Sequence, residues 1–155
     1  MQIKLSQKER MLLEDGKKQE ELCVKKYLGY ASQVQDVQLK NLLTEIAQEE
    51  QHHLDMINEM LQGKAPNMSH SGGKTLTSQG NNLSQGIGTN ADDKTLLEDL
   101  LSTEKYVSSF YDTTVFEAAD PTVRQAVQHI QQDEQGHGEK LFNYMNKNGM
   151  YDVKY

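Results

Sequence analysis

Two Glu-x-x-His pairs carry the residue types that could do chemistry in this chain: Glu50 with His53, and Glu134 with His137. Residues three apart share one face of an α-helix, so each pair would present a carboxylate and an imidazole one turn apart. Both pairs interrupt apolar stripes. Ile46 sets a period that predicts core positions at Glu50 and His53, and Ile130 does the same for Glu134 and His137. Leu97 and Leu100 both point to Glu104, and Leu13 points to Glu20. A shift of 84 residues lays Glu20 on Glu104, Glu50 on Glu134 and His53 on His137. His52 is set aside, because it lies off the stripe and its counterpart is Gly136.

Four carboxylates and two imidazoles facing one interior are costly, since each buried ion carries a desolvation penalty of several kcal/mol. Two divalent cations would neutralise four carboxylates. A Glu from each of two helices plus a Glu-x-x-His from each of two others is a dinuclear carboxylate arrangement. Oxygen-rich ligation with one histidine per metal suits iron or manganese; zinc could bind without redox chemistry. The expected metal ligands are therefore Glu20, Glu50, His53, Glu104, Glu134 and His137, with Glu50 and Glu134 as candidate bridges. One Glu-x-x-His in a Glu- and Gln-rich helix marks only a solvated face. Two in register, each thirty residues after a core-facing Glu, are hard to obtain by chance.

Glu49 and Asp133 each precede a ligand Glu. A metal-bound histidine usually donates its other N–H to a carboxylate, so Asp133 could reach His53 and Glu49 could reach His137; the alternative is a pair of surface acids. Tyr27 and Tyr111 lie two turns after Glu20 and Glu104 on the same face. They are the candidate catalytic phenols, by redox activity or by hydrogen bonding to a ligand carboxylate, or else plain core aromatics. Cys23 maps to Val107 and reads as a small buried residue, not a thiol ligand.

These residues need four helices to position them. The first pattern opens at Ser6 with Glu9 three residues on, a capping box; Gly16 inside it costs about 1 kcal/mol against Ala. The second opens after Asp36, a good N-cap, and stops before Gly63. The third follows Asn90. The fourth opens at Asp120-Pro121, with proline at the first helical position, and stops near Gly149. Helices are expected near 7–35, 37–62, 92–118 and 121–147. Between them, residues 63–91 are rich in Gly, Ser, Asn and Gln with no apolar period, and read as a flexible connection. Hairpin 7–62, crossover linker 63–91 and hairpin 92–148 make one all-α domain over 1–155, a ferritin-like four-helix bundle.

Composition narrows the classes. Lys and Arg total 16 and Asp and Glu 23, a net charge of −7. That argues against nucleic acid or an anionic membrane as partner. A single cysteine excludes a disulfide framework or a four-cysteine metal site within one chain. Residues 1–6 have no apolar h-region, and no stretch approaches a membrane span. A soluble protein of a reducing compartment, not secreted by a signal peptide, is the expectation.

The full set Glu20…Tyr27…Glu50-x-x-His53 and Glu104…Tyr111…Glu134-x-x-His137 resembles the ferritin-like superfamily, near rubrerythrin and bacterioferritin. The stretches KERMLLEDGKKQEELCVKKY, TEKYVSSFYDTTVFEAADPTVRQAV and LFNYMNKNGMYDV resemble spore coat protein F-like proteins. Met150 departs from that pattern, standing where such proteins usually carry tryptophan. The resemblance implies a place in the spore coat or the cytoplasm of the sporulating cell. Its partners would be other coat proteins or the chain itself, as a homo-oligomer and first of all a dimer. One cysteine leaves no rubredoxin-type iron site, and six residues after Gly149 leave no fifth helix of the ferritin-cage kind. Three functions remain open. The first is a di-iron or di-manganese oxidoreductase acting on peroxide or dioxygen. The others are a structural coat component whose metals only stabilise the bundle, and a small iron-binding ferritin relative.

Overall fold

A computed structural model of the chain describes residues 2–69 and 90–155. Four helices form, α1 (Gln7–Ala31), α2 (Val37–Leu61), α3 (Asn90–Glu117) and α4 (Pro121–Lys147). No strand occurs among the described residues, only an isolated bridge between Gln2 and Lys64. The helices pack as two hairpins, α1 on α2 and α3 on α4, into a four-helix bundle.

Local chemistry sets the boundaries. At α1 the Ser6 hydroxyl accepts from Glu9 N–H (3.1 Å) while Glu9 Oε2 accepts from Ser6 N–H (2.7 Å), a reciprocal cap. Asp36 and Asp120 cap α2 and α4 through Gln38 N–H at 2.9 Å and Thr122 N–H at 2.7 Å. The first helix ends at Ala31, four residues short of the expected 35. The Ser32 and Val34 N–H groups turn back to the Leu28 and Tyr30 carbonyls, both at 3.2 Å. Val34 thereby tucks into the core before Asp36 restarts the chain. Gly63, at φ +78°, closes α2 in a conformation L side chains rarely adopt.

The directions of the helices follow from their contacts. Lys8 pairs with Glu117 at 2.9 Å and Lys26 with Asp99 at 3.0 Å, so α1 and α3 run antiparallel. Arg10 Nη1 reaches the Leu61 carbonyl, so α2 ends beside the start of α1. The helices α2 and α3 are therefore parallel. The ends that residues 63–91 must join lie at opposite ends of the bundle, roughly 38 Å apart for 25-residue helices. Residues 70–89 of that crossover lie outside the described residues.

The core is in two pieces. One cluster holds Leu13, Ile57, Met60, Val123, Val127 and Ile130; the other holds Leu39, Leu43, Ile46, Leu97, Leu100 and Leu141. Met150 closes the second, held by its N–H on the Met145 carbonyl (2.7 Å) beyond the Gly149 turn. At the far end buried Glu9 does more than cap. Its Oε1 accepts from the Asp120 N–H at 2.8 Å, tying the first turn of α1 to the start of α4. Glu9→Ala strips two backbone donors of a charged acceptor, interactions worth about 1.5–3 kcal/mol each. We expect a loss of about 3–6 kcal/mol, a downward shift of roughly ten degrees in melting temperature, with the helical circular dichroism unchanged at low temperature.

Candidate metal centre

Between the two apolar clusters lies a layer of Glu20, Glu50, His53, Glu104, Glu134 and His137, all buried. Each helix contributes: Glu20 from α1, Glu50 and His53 from α2, Glu104 from α3, Glu134 and His137 from α4. Two groups of four could each hold a metal ion. One is Glu20, Glu50, His53 and Glu134; the other is Glu50, Glu104, Glu134 and His137. Within each group one ligand atom per residue lies within 4.8 Å of the rest. Glu50 and Glu134 belong to both.

The imidazoles direct Nδ1 inward. His53 Nδ1 sits 3.1 Å from both Glu50 Oε2 and Glu134 Oε1. His137 Nδ1 sits 3.4 Å from Glu50 Oε1 and 3.5 Å from Glu134 Oε2. The rings lie 5.7 Å apart and nearly parallel. Their outer nitrogens meet acids across the bundle: His53 Nε2 to Asp133 Oδ2 at 3.1 Å, and His137 Nε2 to Glu49 Oε2 at 2.6 Å. The tyrosines cross between hairpins in a reciprocal pattern. Tyr27 donates its hydroxyl to Glu104 Oε1, and Tyr111 donates to Glu20 Oε1. Cys23 is buried and burial, with the Glu50 charge, pushes its thiol up, which suits a packing residue.

The donor set fits cations. Glu20 Oε2, Glu50 Oε1, Glu104 Oε2, Glu134 Oε2 and His137 Nδ1 are buried without a hydrogen-bond partner. Buried polar atoms are normally paired, so five such atoms converging on one layer mark a place for positive charge. The electrostatics of the polypeptide alone agree. Burial and then the Glu50 and Glu134 charges hold Glu20 well above the usual carboxylate range. Burial and Glu134 push Glu104 up to about 8. Burial opposes charge on the imidazoles, yet the Asp133, Glu134 and Glu50 carboxylates that face His53 as acceptors outweigh it. The Glu104, Glu134, Glu49 and Glu50 carboxylates around His137 do the same, so both sit well above their ordinary value. Burial likewise opposes charge on Glu49, but His137 and Lys140 bring it down to about 2.

Lys140 is one contact the stripes do not announce. Its ammonium bridges Glu49 Oε1 and Glu45 Oε1, both at 2.9 Å. Its place one turn past His137 was the available signal.

Fold and site together define a four-helix bundle with a buried carboxylate–histidine layer able to hold metal. Residues 92–154, the second hairpin and the segment after it, match the family model described as the Coat F domain. No curated protein and no solved structure matches the chain. No helix among the described residues is long and apolar enough to cross a membrane.

The pKa directions set the sign of a pH dependence. Glu20 and Glu104 are raised, so the metal-free fold binds more protons than the unfolded chain above about pH 4.3. His53 and His137 are raised as well, so their contribution is present below about 6.5 and lost as pH rises through the higher folded values. Chelator-treated protein should therefore lose melting temperature between about pH 6 and pH 9, and cations should relieve that loss. Metal binding at neutral pH should release protons, read by calorimetry in buffers of different ionisation enthalpy. A metal-free melting temperature that rises over this interval contradicts the assignment.

Proposed function

We propose that this is a spore-coat-F-type protein whose bundle holds a dinuclear iron or manganese centre reacting with peroxide or dioxygen. The observation that carries the reading is the sharing of Glu50 and Glu134 by two four-residue groups with unpaired buried oxygens. In this reading Glu20 and His53 complete one site, and Glu104 and His137 the other. Parallel α2 and α3, with a long link between them, support the ferritin-like ancestry. When bound, two redox-capable ions would exchange electrons with the oxidant.

The chain's own residues prepare that chemistry. Asp133 and Glu49 fix the rings with Nδ1 inward and raise their basicity. Tyr27 and Tyr111 hold one oxygen of Glu104 and Glu20, leaving the other toward the layer. Each phenol, bonded to its carboxylate, is also placed to serve as a proton donor or a redox-active group, the catalytic role proposed for both. Burial and neighbouring Glu104 or Glu20 push both phenols up, so they stay protonated donors.

A second reading has its own support. Each four-residue group draws on both hairpins, so the metals could serve only to fasten them in a coat component. The Coat F match favours the spore coat or the sporulating cell as the location, with coat proteins as partners.

Metal analysis of protein from its native host, followed by peroxide consumption, separates the readings. Protein with two iron or two manganese ions per chain should consume hydrogen peroxide, and Glu50→Ala or His137→Ala should abolish this. Asp133→Asn should weaken metal affinity about 10–100-fold. Wild-type protein with a filled centre but no more activity than Glu50→Ala selects the structural reading. Iron far beyond two per chain selects storage.

A further inference from the structure

The bundle has two unlike outer faces. The exposed stripe of α4 reads Gln125, Gln128, Gln132, Gln135 and Glu139. The face made by α1 and α3 is different. Met11 and Leu22 on α1 and Tyr106 and Phe116 on α3 stand out to solvent, Tyr106 61% and Phe116 82% exposed. Among the described residues, the one other large exposed hydrophobic within a helix is Val37, the first residue of α2.

These four residues are placed with a symmetry. Met11, Asp15, Lys18 and Leu22 follow one stripe of α1, all exposed. The stripe is centred between Gly16 and Lys17: Met11 and Leu22 are equidistant from that point, and so are Asp15 and Lys18. On α3 the exposed stripe runs Tyr106, Ser109, Thr113 and Phe116, centred on Tyr111. The two centres lie at one level, because Gly16 faces Phe110 and Tyr111, at 3.4 and 3.5 Å from where its Cβ would stand. A single axis drawn across both helices there exchanges Met11 with Leu22, Asp15 with Lys18, Tyr106 with Phe116 and Ser109 with Thr113. Apolar meets apolar, acid meets base and hydroxyl meets hydroxyl.

We propose that the α1–α3 face docks a second copy of this chain, antiparallel, across a two-fold axis perpendicular to the helices at the level of Gly16 and Tyr111. A two-fold interface must be self-complementary, and these two stripes are so in both charge and apolarity. Its extent is sufficient. Two adjacent helices about 38 Å long and each about 10 Å wide present roughly 760 Å², close to the ~800 Å² per partner of a stable complex. The contact leaves the metal centre alone, since none of these side chains belongs to the buried layer.

Sedimentation equilibrium of the full chain tests this. The wild type should give twice the 17.6 kDa chain mass. Leu22→Asp and Phe116→Asp should each give a monomer with unchanged helical circular dichroism, their positions being exposed. Asp15→Lys should weaken the dimer about tenfold or more, since both copies then oppose Lys to Lys18. Adding Lys18→Asp to Asp15→Lys should restore the dimer, an outcome a merely structural effect would not give. A monomeric wild type at every concentration overturns the proposal. So does a dimer indifferent to Leu22→Asp and Phe116→Asp, or a double reversal that stays as weak as the single one.

Discussion

The structure depends on one electrostatic constraint: four carboxylates and two imidazoles share a buried layer in the middle of the bundle. Each charge there would cost several kcal/mol if left alone. The layer divides the apolar core into two clusters. In the polypeptide alone, compensation is internal. Glu20 and Glu104 are held toward the protonated form, the imidazoles toward the charged form, and Glu50 is lowered, the two neighbouring imidazoles outweighing burial. That arrangement satisfies the groups only in part, as the unpaired oxygens show. Cations would satisfy all of them at once, at the expense of the protons.

Much of this was legible because polar residues at core positions are the exception a periodic pattern exposes. Ile46 and Ile130 fix a phase, and Glu50, His53, Glu134 and His137 break its chemistry without breaking its phase. The offset from Glu20 to Glu104 then groups residues too far apart in sequence to be linked otherwise. The caps at Ser6, Asp36 and Asp120 were readable for a local reason, since each side chain bonds a backbone group two or three residues away. The end of α1 was not. Residues 32–35 carry helical periodicity, and Val34 continues the apolar phase. Burial of Val34 proves compatible with a turn, so the phase alone misplaced the boundary. Glu9 was readable as a cap, but its bond to Asp120 N–H spans 111 residues and no local rule announces it.

The repeat is a repeat of interactions as well as residues. Tyr27 serves Glu104 while Tyr111 serves Glu20, and Asp133 serves His53 while Glu49 serves His137. Every one of these bonds crosses from one hairpin to the other. Within a hairpin the helices are held by close apolar packing. Between hairpins, the polar layer and its partners supply much of the specific contact. Gly16 belongs to the same logic. Its lack of a side chain lets Phe110 and Tyr111 of the second hairpin lie against α1, beside the Tyr111–Glu20 bond.

This bears on how the Coat F match should be read. The matched segment, residues 92–154, contains Glu104, Tyr111, Glu134 and His137 but none of Glu20, Tyr27, Glu50 or His53. Neither four-residue group can be assembled from the matched segment alone, because each needs Glu50 and one needs Glu20 and His53 as well. The candidate centre thus draws on the whole bundle, where α1 meets α3 and α2 meets α4. A cation held by Glu20, Glu50, His53 and Glu134 would touch α1, α2 and α4, and one held by Glu50, Glu104, Glu134 and His137 would touch α2, α3 and α4. Together they would cross-link all four. Loss of either shared glutamate would therefore remove a candidate ligand from both groups and a contact between the hairpins at the same time, so the two candidate positions stand or fall together in this fold.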